Sequence, residues 1–454
     1  MNQKEIEKHI LEKVTPSSDY RKNLKKIIQE IKGKLKEEVT RRRLPVRIEL
    51  VGSTAKGTYL KDNLDIDFFL LFPTKFPKED IAKNALSIGK KLLKNPEESY
   101  AEHPYLRGYY NNYYVEIVPC YKIETASQKL SAVDRTPLHT KYVKENLLES
   151  QKPEVLLFKQ FLRGIGCYGA ETEIEGFSGY LCEILIIKYG SFKKLIEQAK
   201  KWKIGEKLAL SKDKYPSFDT PLTFIDPVDI NRNVASALSK EKFDLFTKAC
   251  GEYLKKPSST FFFPNKIKPW SLDKIKKEIQ KQKFKYIGIK LDKPDIIAEN
   301  LFPQVRKSTR SIWEACERNS FIIYDVTFHI NNQEKTIYII VKTKDEKLSK
   351  TVKHMGPPIK LKDNADDFIK KWKKDPRVIN KPYEKNGRLY IEIKRDYIDI
   401  KHFLKDQIKN LSMGKHIDKI VKKKYSILEA KELLRDNLRE FWTEYLDGKK
   451  PWER

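Results

Sequence analysis

Val51-Gly-Ser-Thr-Ala-Lys-Gly-Thr-Tyr-Leu-Lys-Asp-Asn-Leu-Asp-Ile-Asp-Phe-Phe-Leu-Leu-Phe72 is the stretch from which the rest of the chain can be read. An apolar run ends at Gly52-Ser53, a turn small enough for backbone to approach a phosphate. Asp65-Ile66-Asp67 then leads into Phe68-Phe69-Leu70-Leu71-Phe72, the pattern of a buried strand. On a strand, residues i and i+2 face the same way, so both carboxylates emerge side by side. Two such acids repel unless a cation lies between them, and oxygen ligands suit Mg²⁺. Ser53, Thr54 and Lys56 add hydroxyls, free N–H groups and an ammonium, the fittings for a polyphosphate. A phosphate cradle one short loop from a metal dyad points to nucleotidyl transfer. Taken alone, Asp-x-Asp also caps turns, binds sugar nucleotides through a metal, or faces water, so the remainder of the chain has to decide.

The composition narrows the partners. Lys and Arg outnumber Asp and Glu by 92 − 63 = 29 in a chain of 454 residues. So large a positive field implies an anionic polymer, and nucleic acid suits it better than a membrane. No apolar run reaches the ~20 residues needed to span a bilayer, and the N-terminus has no signal-peptide segment. The five cysteines (120, 167, 182, 250 and 316) are widely spaced and form no Cys-x-x-Cys. They read as reduced core residues of a cytoplasmic protein, with neither a disulfide framework nor a zinc site. The length implies two to four domains.

In chain order, residues 3–40 read as helical, with Leu24, Ile27, Ile28, Ile31 and Leu35 on one face. A strand over 46–51 precedes the Gly-Ser turn, and a helix over 78–94 follows the Asp-x-Asp strand. Residues 105–110 and 113–118 form a hairpin about Asn111-Asn112, both tolerant of positive φ. Glu116 stands between Val115 and Ile117, a carboxylate costly to bury unless paired or bound to metal. After Asp65 and Asp67 it reads as the third carboxylate of a two-metal site. Helices follow over 138–150, 153–164, 178–189 (Ser178 as N-cap), 191–202 and 239–256. A boundary falls at Pro257-Ser-Ser, and a β-α-β-β order over 286–343 predicts a small α+β sandwich.

Gly52-Ser53, eleven further residues, Asp65-x-Asp67 and a later strand acid form the signature of the polymerase β-like nucleotidyltransferases. The motifs Tyr100-Ala-Glu-His-Pro-Tyr105, Ile117-Val-Pro-Cys-Tyr121 and Ser131-Ala-Val-Asp-Arg-Thr-Pro-Leu-His139 are narrower. With Gly176-Phe-Ser-Gly-Tyr-Leu-Cys-Glu183, Asp226-Pro-Val-Asp229, Arg232-Asn-Val-Ala235 and the run Lys293–Gln304, they resemble the archaeal, class I, CCA-adding tRNA nucleotidyltransferases. The resemblance runs from about residue 45 to beyond 300.

It implies an α+β multidomain fold. Residues 1–145 would form the polymerase β-like head, a mixed sheet with helices, and 146–257 a helical neck. Residues 258–454 would form an RNA-recognition-like body with a tail domain. It also implies sequential addition of C, C and A to the 3′ end of tRNA from CTP and ATP, with two Mg²⁺ ions. Asp65, Asp67 and Glu116 would hold the ions, and Ser53 and Lys56 would grip the β- and γ-phosphates. The family usually has Arg where Lys56 stands, which loses the bidentate fork. His139, Lys159 and Tyr168 would touch the nucleotide and Arg232 would read the base. From the residues alone, His139 also suits a helix start, Lys159 a solvated helix face and Tyr168 a core aromatic. Asp226 and Asp229 read as turn caps, and a homodimer is compatible with all of this. The rivals are a poly(A) polymerase, an oligoadenylate synthetase and a non-catalytic RNA-binding protein. The matches at 176–183 and 293–304 lie outside the head that the first two would share.

Overall fold

The computed structural model describes residues 2–454 apart from 63, 101–103 and 212–214, so the centre of the Tyr100–Tyr105 motif lies outside the described residues. The first helical stretch is two helices, not one. α1 (Gln3–Val14) and α2 (Ser18–Arg41) are separated at Thr15-Pro16. A proline disfavours the helical conformation of the residue before it, and Thr15 is extended with ψ 126°. The Ser17 side chain restarts the helix by accepting the backbone N–H of Tyr20.

β1 (Arg47–Val51), the single helical turn α3 (Gly52–Lys56) and β2 (Asp65–Phe72) then carry the stretch quoted above. The Gly-Ser turn is thus the start of a short helix, which ends at Gly57 in the left-handed conformation, φ 72°. α4 (Lys78–Leu92) is followed by β3 (Lys94–Tyr100), an edge strand that the sequence hid behind Pro96. β4 (Pro104–Tyr110) and β5 (Tyr113–Tyr121) form the expected hairpin, with Asn111 and Asn112 at φ 46° and 65°. The sheet order is β1-β2-β5-β4-β3, with β2 and β5 parallel and the other pairs antiparallel.

Alternation along β2 divides the sheet's two faces. Ile66, Phe68, Leu70 and Phe72 are all fully buried against Leu24, Ile31 and Leu35 of α2 and Ile81, Ala85 and Ile88 of α4. Each such side chain contributes about 2 kcal/mol. Asp65 and Asp67 share the other face with Phe69 and Leu71, where the apolar cluster is small. The register is therefore fixed by the large core, and it turns the acids outward.

α5 (Thr136–Asn146), α6 (Lys152–Gly164), α7 (Gly179–Tyr189), α8 (Phe192–Ala199) and α9 (Lys240–Lys255) follow, with a small sheet of β6 (Glu206–Leu208), β7 (Leu222–Asp226) and β8 (Asp229–Asn233). Ser178 caps α7 as expected, accepting Leu181 N–H at 3.1 Å. The helices close on an aromatic core that includes Phe158, Phe161, Phe177, Phe192, Phe246 and Tyr253, to which α1 adds Ile6, Ile10 and Val14. Residues 1–266 and 449–454 make one compact unit and residues 267–448 another. The final six residues join the first unit through Trp452, whose ring stacks on Phe261 at 5.1 Å and whose indole N–H donates to Glu252 at 2.6 Å.

The second unit begins with α10 (Leu272–Gln282), then β9 (Lys285–Asp292), α11 (Ala298–Arg318), β10 (Ile323–Asn331) and β11 (Thr336–Thr343), the predicted β-α-β-β order. β12 (Thr351–Pro358), α12 (Lys362–Lys373), β13 (Tyr383–Lys385) and β14 (Arg388–Lys394) form a separate sheet around Trp372, Ile391 and Ile393. After α13 (Ile400–Gln407) and α14 (Lys415–Lys423), β15 (Ser426–Leu428) returns to pair with β9, and α15 (Arg439–Asp447) closes the unit. The small sheet is thus inserted into the chain of the larger one.

Candidate active site

The parallel pairing of β2 with β5 sets Asp65 opposite Tyr114 and Asp67 opposite Glu116. The hairpin brings Arg107 of β4 opposite Glu116 on its other side. The expected third carboxylate therefore stands one strand from the pair, brought there by pairing across some fifty residues of chain.

Gly52 makes room for one of the acids. A Cβ at this position would lie 1.9 Å from Asp67 Oδ2, and its φ of 71° also favours glycine. The Thr54 hydroxyl donates to the Asp65 carbonyl, tying α3 to the start of β2.

Electrostatics set these acids apart from the rest of the surface. Burial, then Glu116 and Asp65, pushes the Asp67 carboxyl from 3.8 up to about 7. Burial also raises Asp65, against the pull of Arg107. Glu116 is raised by burial and by Asp65. Like charges brought together in a low-dielectric site hold protons or a cation. The all-oxygen donor set fits a hard divalent ion. Among the described residues, no three His, Cys, Asp or Glu side chains converge into a complete metal cage. Mg²⁺ does not need one, since it is held by one or two carboxylates together with substrate phosphates and water.

A cleft of about 780 Å³ opens beside these acids, and Ser53, Asp65, Asp67, Lys159 and Tyr168 line it, with Thr58, Arg163 and Ser178. Its lining therefore holds five of the nine residues predicted from sequence. Lys159 comes from α6 and is only 1% exposed, so it is no solvated helix face. Its Nζ donates to the Thr58 carbonyl at 2.9 Å. Tyr168 is half-buried along the same wall, and burial raises its hydroxyl's pKa well above the usual phenol range.

Lys56, expected at the phosphates, is not among the residues that line the cleft, although it is 8% exposed. Its Nζ is buried in an ion pair with Glu183 of α7, 2.5 Å from Oε2. Glu116, His139 and Arg232 are also absent from the cleft lining, Glu116 standing one strand from Asp67, and His139 and Arg232 lying elsewhere. His139 and Arg232 meet instead on Asp226, which accepts from Arg232 Nη1 at 2.9 Å and lies 2.8 Å from His139 Nε2. Tyr180 donates to the other oxygen at 3.1 Å and stacks on the His139 ring. Burial lowers the pKa of His139 despite Asp226, so the imidazole is neutral near pH 7. Asp226 and Asp229 do cap turns, accepting the N–H groups of Val228 and Asn231. They are also buried ion-pair partners, Asp229 of Lys129 and Arg135.

Glu183, Thr58 and Asp226 are the polar residues whose part sequence reasoning missed. A charged residue on the apolar helix α7 was the available signal for Glu183.

Fold and site together define a nucleotidyltransferase of the polymerase β-like class. Residues 21–139 match the nucleotidyltransferase domain, 153–263 the second domain of tRNA nucleotidyltransferases, and 283–430 the C-terminal domain of CCA-adding enzymes. A CCA-adding enzyme of Methanosarcina barkeri is 35% identical over 429 residues, covering 94% of both chains. Another, from Methanocaldococcus jannaschii, is 35% identical over 434 residues, covering 91% of this chain and 93% of its own. Among solved structures, E. coli MS115-1 CdnC with ATP aligns over 58% of this chain and 95% of that one at a TM-score of 0.44 and 16% identity, too distant to add to these matches. The chain belongs to the CCA-adding enzymes and is a tRNA nucleotidyltransferase, a family whose chemistry uses a divalent metal.

Proposed function

We propose that this protein adds C, C and A in turn to the 3′ end of tRNA, drawing on CTP and ATP in a single cleft without a nucleic-acid template. The observation that carries the reading is the meeting, at one cleft, of strand acids that repel each other with a buried lysine. That is the charge pattern of a metal–triphosphate. The sequence holds one Gly-Ser/Asp-x-Asp set, so the same site serves both nucleotides.

In the proposed reaction the tRNA 3′-hydroxyl gives up its proton to water, its oxygen bonds to the α-phosphorus, the bond from that phosphorus to the α,β-bridging oxygen breaks, and pyrophosphate leaves. Asp65, Asp67 and Glu116 would hold two Mg²⁺ ions, which when bound lower the pKa of the attacking hydroxyl and neutralise the leaving group. Asp67 must give up its proton to act as a ligand, which its position near pH 7 allows. The Ser53 hydroxyl and the Lys159 ammonium face the phosphates, and Tyr168 flanks them. Arg232 uses one nitrogen on Asp226 and keeps others for a base edge, with neutral His139 beside it. The tRNA backbone completes the selecting pocket as its end grows.

The reading needs only one chain, and a homodimer is compatible with it. Five buried free cysteines suit the cytoplasm as its place of action. Among the described residues no helix is long and apolar enough to cross a membrane.

The test is incubation with tRNA lacking its CCA end, each NTP separately and together, and Mg²⁺. Extension by C, C and A followed by a stop is expected. Long A ladders on arbitrary RNA would mean a poly(A) polymerase, and unprimed oligoadenylate a synthetase. Tight tRNA binding with no extension would leave only a binding module.

A further inference from the structure

Glu183 is fully buried and has two lysines for company, an arrangement that the reading of the cleft leaves unexplained. Its Oε2 is 2.5 Å from Lys56 Nζ, while Oε1 accepts the Thr58 hydroxyl at 2.5 Å and stands 3.5 Å from Lys159 Nζ. One carboxylate cannot neutralise two ammonium groups, so the cluster keeps one positive charge. The geometry says which lysine retains it. Lys56 makes the short contact and is absent from the cleft lining. Lys159 is held mainly by a neutral carbonyl, and it lines the cleft. No side chain at position 179 screens it, where a Cβ would stand 3.6 Å from Nζ.

We propose that Glu183 is a positioning residue that sorts the two lysines, binding Lys56 as its counterion and leaving Lys159 to meet the nucleotide's triphosphate. This rests on the reading of the cleft as the nucleotide site. A buried carboxylate without a partner is strongly unfavourable, whereas removing both members of a buried pair is often neutral. If Lys56 were lost, Glu183 would take Lys159 as its partner instead, and the cleft would lose its cation. Lys56 thus acts at a distance, by occupying Glu183.

The experiment is a charge-rescue series. Lys56→Met, Glu183→Gln, the double variant Lys56→Met/Glu183→Gln and, separately, Lys159→Met are compared by kcat and KM for CTP and ATP on tRNA lacking CCA, and by calorimetric binding of CTP. Lys56→Met should raise both KM values about tenfold, the size of one lost charged hydrogen bond. The double variant should return KM to within about threefold of wild type, because the cluster again holds one surplus charge, on Lys159. A double variant no better than Lys56→Met would show that Lys56 itself meets the phosphates and would overturn the proposal, as would a wild-type KM in Lys56→Met. Should either single variant fail to fold, the double variant, which buries no unpaired charge from this pair, still decides. Lys159→Met tests the underlying reading by itself: unchanged KM and CTP affinity there would remove the cleft as the triphosphate site, whatever Lys56 and Glu183 do.

Discussion

Asp65, Asp67 and Glu116 at the strand edge, and Glu183 within α7, are carboxylates in opposite circumstances. The first three are half-buried or exposed side chains, and burial pushes all three upward in pKa, helped by like charge at Asp67 and Glu116 and opposed by Arg107 at Asp65 and Glu116. Glu183 is far more deeply buried, and burial alone would raise it. Lys56 first and Lys159 second more than reverse that, so it stays ionised. Burial raises all four carboxyls, and only at Glu183 do the cationic neighbours outweigh it. The strand edge is left wanting a cation, and the floor beside α7 is left with a cation to give. On the function proposed above, a triphosphate carrying Mg²⁺ would satisfy both.

The most damaging attack on this contrast is removal of the acids that want the cation. Asp67→Ala or Asp65→Ala should lower nucleotide incorporation by several powers of ten, with tRNA affinity nearly unchanged. Gel assays of tRNA extension beside filter binding check both halves, and appreciable activity in either variant would refute the assignment.

Next in size is the effect of salt, which separates local charge from the field of the whole chain. With a net charge of +29, tRNA affinity should fall roughly a thousandfold between 50 and 200 mM salt if about six phosphates are neutralised. CTP affinity, set by a few buried groups, should change far less. Equal salt slopes for tRNA and CTP would contradict the distinction.

A smaller effect is expected at Asp226, which resembles Glu183 in pairing with cations. Asp226→Asn weakens the hold on Arg232 and His139, so the ratio of correct to incorrect nucleotide incorporation should fall about tenfold. Misincorporation measured at each of the three positions would show it, and unchanged selectivity would free Arg232 of that role.

The smallest effect concerns stability. In the metal-free protein the Asp67 pKa lies above its unfolded value, so the folded state prefers the protonated acid. Its destabilising contribution is absent below about pH 4, grows between pH 4 and 7, and is complete above about pH 7. Asp67→Asn should therefore raise Tm by a few degrees at pH 8 and leave it unchanged at pH 3.5. Glu183 has the opposite sign, with its folded pKa held below 4.5, so its stabilisation is present above that value and lost in acid. Glu183→Gln should lower Tm at pH 8. Differential scanning fluorimetry in EDTA checks both, and a pH-independent Tm difference for Asp67→Asn would contradict the crowding of charge at the strand edge.

The sequence by itself determined what local periodicity and residue chemistry can encode. The unbroken apolar run after Asp67 specified a buried strand, and the i, i+2 spacing of Asp65 and Asp67 set two carboxylates side by side on one of its faces. Asn111-Asn112 specified a tight hairpin, Ser178 a helix start, and the excess of Lys and Arg an anionic partner. The five cysteines read as core residues and are buried. Pro16 encodes the break between α1 and α2, and Pro96 masks an edge strand, since proline within a strand is tolerated only at edges.

Tertiary structure alone decided which distant groups share one space. Glu183 is 127 residues from Lys56 in the chain, and nothing in either neighbourhood announces the other. The ammonium expected to grip phosphate is taken by that carboxylate, and Lys159, readable as a solvated helix face, is among the most buried side chains of the molecule. His139, Tyr180 and Arg232 likewise meet only because β7 carries Asp226 between them. A side chain's backbone neighbours set its direction. Its charge partner is set by the packing of cores that close over long loops, and a motif read along the chain contains no term for that.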